Sequence, residues 1–197
     1  MSKRPVVIGL SGASGAFYGV AVLRALRRRD DVETILTASR AAEKTLHQET
    51  GLLLNDLKEL ADHWRPFDDI GADIASGSFL TQGMIIAPCS IHTMSAIAYG
   101  LSSNLLVRAA DVTLKERRPL VLMVRESPLH VGHLRTMTQL AEMGATIAPP
   151  APAFYNRPTS VDEIVEQGAA RALDLLGLHT RETLRWGGLK EGSKRGD

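Results

Sequence analysis

One cysteine among 197 residues leaves no partner for an intramolecular disulfide and no thiolate set for a cysteine-rich zinc site. A formal net charge of +1 gives no electrostatic footprint for nucleic acid or an anionic membrane surface. No apolar run is long enough to cross a bilayer. The opening Met1-Ser2-Lys3-Arg4-Pro5 lacks the apolar core of a secretory signal. With the lone cysteine, this predicts a protein of the reducing cytoplasm. Hydrophobic residues at 44% and charged residues at 23% are those of an ordinary globular chain. There is no internal repeat and no linker. The expected organisation is one domain over 1–186 and a Gly- and charge-rich flexible tail over 187–197.

What the chain has is alternation. Short apolar runs recur at Val6–Ile8, Thr34–Leu36, Met84–Ala87, Leu120–Val124 and Thr146–Ala148, separated by longer stretches of helical spacing. This predicts a three-layer αβα fold, Rossmann-like or flavodoxin-like, with an open parallel sheet. The first helix is expected near Ala16–Arg29, with Ala16, Val20 and Leu23 inward. The last opens on the capping box Ser160-Val161-Asp162-Glu163 and is expected to bury Val161, Ile164, Val165, Gly168, Ala172 and Leu176. Asp62–Ser78 reads as a long loop with short helical pieces.

The first run empties into Gly9-Leu10-Ser11-Gly12-Ala13-Ser14-Gly15 and a helix starts at once. Such a turn aims unpaired amides at one point, a ready site for an anion or cofactor. The glycine spacing is not G-x-G-x-x-G, and no P-loop lysine follows. The second strand ends in Ala38-Ser39-Arg40 rather than an acidic residue for a ribose, which favours a mononucleotide over a dinucleotide. Arg40 keeps a 2′-phosphate, and so an NADP enzyme, open as the second choice.

Further polar residues fall at later strand ends. Ser90, in Ala87-Pro88-Cys89-Ser90-Ile91-His92-Thr93, is placed to cap the next helix, with Thr93 three residues on; a phosphate or a plain N-cap both fit. Cys89 reads as a small buried apolar residue. Arg108, Asp111 and Lys115 share one stripe of a helix over Asn104–Arg118, either as a surface ladder or as two cations for a phosphate. Glu49 closes a helix over Ala41–Glu49, where the dipole disfavours an anion and a carboxyl would keep its proton more readily. Arg125 and Glu126 follow a strand at its carboxyl end. Arg171 borders the apolar stripe of the last helix, and Tyr155 sits in a proline-rich segment; each is either a phosphate ligand or a packing residue. His130-x-x-His133 reads as structural, and no metal site is expected.

Taken together, Ser11-Gly12-Ala13-Ser14-Gly15, Ala87-Pro88-Cys89-Ser90, Arg108-Ala109-Ala110-Asp111-Val112, Arg125-Glu126 and Pro152-Ala153-Phe154-Tyr155 resemble the UbiX/Pad-type flavin prenyltransferases over nearly the whole chain. Ser76-Gly77-Ser78-Phe79 and Tyr155-Asn156-Arg157-Pro158 look most like the branch named for the hydroxyarylic acid decarboxylases. The resemblance implies a homo-oligomer, a dodecamer with FMN between subunits. It implies transfer of a dimethylallyl group from dimethylallyl phosphate to N5 and C6 of reduced FMN, the product serving a separate UbiD-type decarboxylase. By position, Gly12, Ala13, Ser14, Ser39, Ser90, Ile91, His92, Thr93 and Arg125 would bind FMN. Arg108, Lys115, Glu126, Tyr155 and Arg171 would hold or protonate the donor phosphate, while Ser14 and Glu49 would manage protons at the flavin. His92 and His133-Leu134-Arg135-Thr136-Met137 depart from the family pattern. The alternatives are a flavin-dependent oxidative decarboxylase of the same fold and a non-catalytic flavin carrier.

Overall fold

Strands in a sheet covered on both faces must be apolar at successive positions, because alternate side chains enter opposite cores. The first strand, β1 (Val6–Leu10), does this. Val6, Ile8 and Leu10 enter one core and Val7 the other. The computed structural model describes residues 3–180, so the tail over 187–197 lies outside the described residues.

After β1 come α1 (Ala16–Arg27), β2 (Thr34–Ala38), α2 (Arg40–Thr50), α3 (Leu54–Leu60) and β3 (His63–Trp64). Then come β4 (Gly83–Cys89), α4 (Ile91–Ala98), α5 (Leu105–Lys115), β5 (Leu120–Val124), α6 (Val131–Glu142), β6 (Ala145–Ile147) and α7 (Val161–Leu175). All strand pairs are parallel, in the order β3-β2-β1-β4-β5-β6. That is the doubly wound αβα arrangement the alternation predicts. Helices α1, α2, α3 and α7 contribute to the core on one face, and α4, α5 and α6 to the core on the other.

The five predicted strands are present. The sixth, β3, is a two-residue edge strand, too short to carry a period. The stretch around it is otherwise loop, with one 3₁₀ turn at Asp73–Ala75. Arginines hold it down: Arg65 donates to Asp73 through Nε (2.9 Å) and Nη2 (2.6 Å), and Arg118 donates to the Gly77 and Phe79 carbonyls at 2.7 and 2.8 Å.

At the last helix one expectation fails. Val161 is 71% exposed, while Val165, Ala169 and Ala172 further along α7 are buried, the last two in the core shared with α1. The capping box is shifted as well. Ser160 Oγ accepts from the Glu163 amide as expected, but the Glu163 carboxylate accepts from Thr159, at its amide (2.7 Å) and hydroxyl (2.8 Å).

Candidate active site

The chain reverses direction across the sheet between β1 and β4, and a crevice opens outside the carboxyl ends of such a pair. Here four strand ends are tied together. The Ser39 amide donates to Leu10 O (2.9 Å), and the Ser11 amide and hydroxyl both donate to Pro88 O (3.1 and 3.0 Å). The Ser90 amide donates to Ser11 Oγ (2.7 Å), and the Arg125 amide to Cys89 O (3.1 Å). The loops carrying Gly12–Ser14, Ser39, Ser90–Thr93 and Arg125 are thereby set side by side.

The glycine loop takes on a different role once folded. Gly15 sits at the N-cap of α1 with φ 104°, a left-handed conformation that favours glycine, and offers no side-chain cap. Gly12 passes so close to α2 that a Cβ there would collide with the Ala41 methyl. The amides at the start of α1 are already taken. Gly15 N donates to Glu49 Oε2 (2.9 Å) and Ala16 N to the same oxygen (2.8 Å). Two expectations are corrected together. This helix start holds an anion supplied by the chain itself, and Glu49 does not suffer the unfavourable end of its own helix. Its carboxylate lies on the favourable end of α1.

At α4 the amides stay available. Ser90 Oγ accepts from Thr93 N (3.2 Å) and donates to Thr93 Oγ1 (3.2 Å), so both hydroxyls serve the cap. The amides of Ile91 and His92 have no acceptor among the described residues. The His92 side chain is exposed. Ser39 likewise caps α2 by accepting from Ala42 N (3.1 Å). Arg40, the candidate for a 2′-phosphate, is paired with Asp68 at 2.7 Å. Burial pushes the Cys89 thiol up to about 12, which removes it as a nucleophile. Arg125 and Glu126 stand exposed just past β5, with Glu126 Oε1 accepting from Ser127 N (3.0 Å). His130 caps α6 through Nδ1 and stacks on His133 at 3.5 Å, the structural role its spacing predicts.

The four remaining candidates split into two pairs. Arg108 and Lys115 lie on α5. Arg108 Nε donates to Ala75 O (3.1 Å) and Nη1 pairs with Asp111 (2.9 Å); Lys115 pairs with Glu116. A Cβ on Gly77 would stand 2.6 Å from Lys115 Nζ, so the Ser76–Ser78 turn lies against this cation. Tyr155 and Arg171 line a cavity of about 300 Å³ walled by Ala148–Ala153 and α7. α5 packs on one face of the sheet and α7 on the other. The two pairs therefore lie on opposite sides of the sheet within one subunit.

Ser11, which ties β1 to β4 at the site, and Arg118, which pins the loop at Gly77 and Phe79, are not singled out by sequence reasoning. For Ser11 the available signal is its place directly after a buried strand. Nothing local marks Arg118, whose acceptors are carbonyls some forty residues away.

Fold and site geometry define a doubly wound αβα protein with open helix-start amides at its switch point. The chain belongs to the Flavoprotein family, matched over residues 1–173. It is 54% identical over 185 residues to the flavin prenyltransferase UbiX of Escherichia coli strain K12, covering 93% of this chain and 98% of that one. A crystal structure of AnUbiX (PadA1) in complex with FMN and dimethylallyl pyrophosphate superposes with a TM-score of 0.93 at 44% identity, covering 96% of this chain and 100% of that one. A dodecameric FMN-dependent UbiX-like decarboxylase from Escherichia coli O157:H7 gives 0.92 at 46% identity, covering 94% and 100%.

Proposed function

We propose that this chain is a flavin prenyltransferase that moves a dimethylallyl group from its phosphate or pyrophosphate ester onto N5 and C6 of reduced FMN. The observation that carries the site assignment is the pair of open amides at Ile91 and His92, beside a helix start already filled by Glu49. A flavin phosphate fits the first and would be repelled by the second. Ser39, Gly12, Ala13, Ser14, Thr93 and Arg125 border the same crevice and would hold the rest of the flavin.

Breaking an allylic C–O bond leaves negative charge on the departing phosphate, and preorganised cations stabilise that charge. Arg108, Lys115 and Arg171 supply them, Tyr155 donates a hydrogen bond, and Glu126 is placed to protonate the leaving oxygen. Reduced flavin, when bound, supplies the nucleophilic carbon and nitrogen. Because Arg108 and Lys115 lie on the opposite face from Tyr155 and Arg171, the donor phosphate is held where the α5 face of one subunit meets the α7 face of another. A dodecamer, the assembly named for the Escherichia coli O157:H7 relative, would have to supply such junctions. The prenylated flavin then passes to a UbiD-type decarboxylase in the cytoplasm. Among the described residues, no helix is long and apolar enough to cross a membrane.

Anaerobic incubation with reduced FMN and dimethylallyl phosphate, followed by mass spectrometry of the extracted flavin, should show a product heavier by one prenyl unit. Unmodified FMN would refute the transfer. Arg108→Ala and Arg171→Ala, each inactive alone, should regain activity in co-assembled oligomers at roughly one site in four, since two different subunits complete each site. No recovery would place both residues in one subunit's site.

A further inference from the structure

We infer that Ser11 is a positioning residue for flavin binding, acting through Ser90 to fix the start of α4. Its side chain is 2% exposed and both of its hydrogen-bonding roles are used: Oγ donates to Pro88 O (3.0 Å) and accepts from Ser90 N (2.7 Å). Buried and with its one donor taken, it has no hydrogen bond to give a ligand. The neighbouring ties, Ser39 N to Leu10 O and Arg125 N to Cys89 O, run between backbone atoms and survive any substitution that keeps the fold. At the junction of β1 and β4 the Ser90 amide depends on a side chain instead.

That dependence matters because the Ser90 amide is the last one before those of Ile91 and His92, whose direction sets the open phosphate site. Without the Ser11 hydroxyl, the Ser90 N–H loses its acceptor and the α4 start is free to tilt away from the glycine loop. A partly buried donor left without a partner relaxes toward water. A phosphate bound by two preorganised amides is then bound by amides that must first be brought into place.

The inference rests on the assignment of this crevice to flavin, and titration of wild-type protein with oxidised FMN, monitored by flavin fluorescence, tests that assignment first: no binding by wild type sinks the assignment itself. Given wild-type binding, Ser11→Ala should weaken FMN by about tenfold, the loss expected for one preorganising hydrogen bond. Ser11→Thr, which keeps the hydroxyl, should stay within about threefold. Thr113→Val removes an equally buried hydroxyl that bonds Ala109 O within α5, and should leave FMN affinity within about twofold. In turnover, Ser11→Ala should raise the KM for reduced FMN and leave kcat at saturation nearly unchanged. Affinity of Ser11→Ala within about twofold of wild type overturns the inference. So does an equal loss in Thr113→Val, which would mark a general loss of packing. If Ser11→Ala does not fold, Ser11→Cys, near the same volume but a weak hydrogen bonder, is held to the same limits.

Discussion

Helices α1 and α4 both begin where a buried strand turns over the carboxyl edge of the sheet, and each presents its first amides there. At α1 the cap position is Gly15, and Glu49 from the end of α2 accepts from Gly15 and Ala16. At α4 the chain supplies its own cap, Ser90 on Thr93, and leaves Ile91 and His92 open. The two starts look alike as local sequence, small residues after an apolar run. They differ in what a distant helix delivers. Each start suits an anion, but only at α4 do the described residues leave amides without an acceptor.

The sharpest way to break this contrast is to fill the second site as the first is filled. Ser90→Asp keeps a good helix cap and places a carboxylate where the flavin phosphate should sit. Like charges at that spacing cost several kcal/mol, so FMN affinity should fall by about a hundredfold or more. Ser90→Asn, a neutral cap, should lose no more than about tenfold. Fluorescence titration of the three proteins reads the difference. Equal affinities for the Asp and Asn proteins would move the phosphate elsewhere.

Emptying the first site is the converse. Glu49→Ala leaves the Gly15 and Ala16 amides without their acceptor and should cost about 1–2 kcal/mol of stability. In a chain of this length that is a fall of roughly 2–8 °C in Tm. Added acetate should recover part of the loss in Glu49→Ala and leave the wild type unmoved, because it occupies the vacated amides. FMN affinity should change by less than about threefold, since the flavin phosphate is proposed to sit at α4. A variant whose Tm ignores acetate would show that Glu49 does not act as a bound anion.

The parallel sheet is legible in the apolar runs because each is local, five or so residues whose burial the period reports. Ser90 and the Ser160 cap of α7 are legible for the same reason: a cap acts within three residues. Glu49 is not. Its own helix end argues against an anion, and only the fold brings the start of α1, more than thirty residues earlier in the chain, onto its carboxylate. Val161 fails in the opposite direction. It has the right spacing on the helix but stands exposed at its first position. The arginines proposed to hold the donor phosphate show a third kind of limit. Arg108 and Arg171 are on surfaces of one subunit, and the geometry that would join them belongs to an assembly, which no pattern within one chain encodes.

The smallest effect concerns another carboxylate satisfied from within, this time by a guanidinium in place of helix amides. Asp73 accepts from Arg65 Nε and Nη2 and from Ile74 N (2.8 Å), with both side chains about three-quarters buried. The Arg65 hydrogen bonds, with help from the Ile74 amide, hold its carboxyl below the usual range. A group whose folded pKa is depressed stabilises the protein above its unfolded value, about 3.9 for Asp, and loses that contribution as pH falls through the folded value. Asp73→Asn should therefore lower stability by about 1 kcal/mol near pH 7. Below about pH 4 the gap between the two proteins should close, because the wild-type carboxylate is being protonated. Thermal melts from about pH 7 down to about pH 3 measure it. A gap that stays constant across the range would mean that Asp73 holds the loop by shape rather than by charge. The pin that ties Arg65 to the 3₁₀ turn would then differ in kind from the carboxylate at α1.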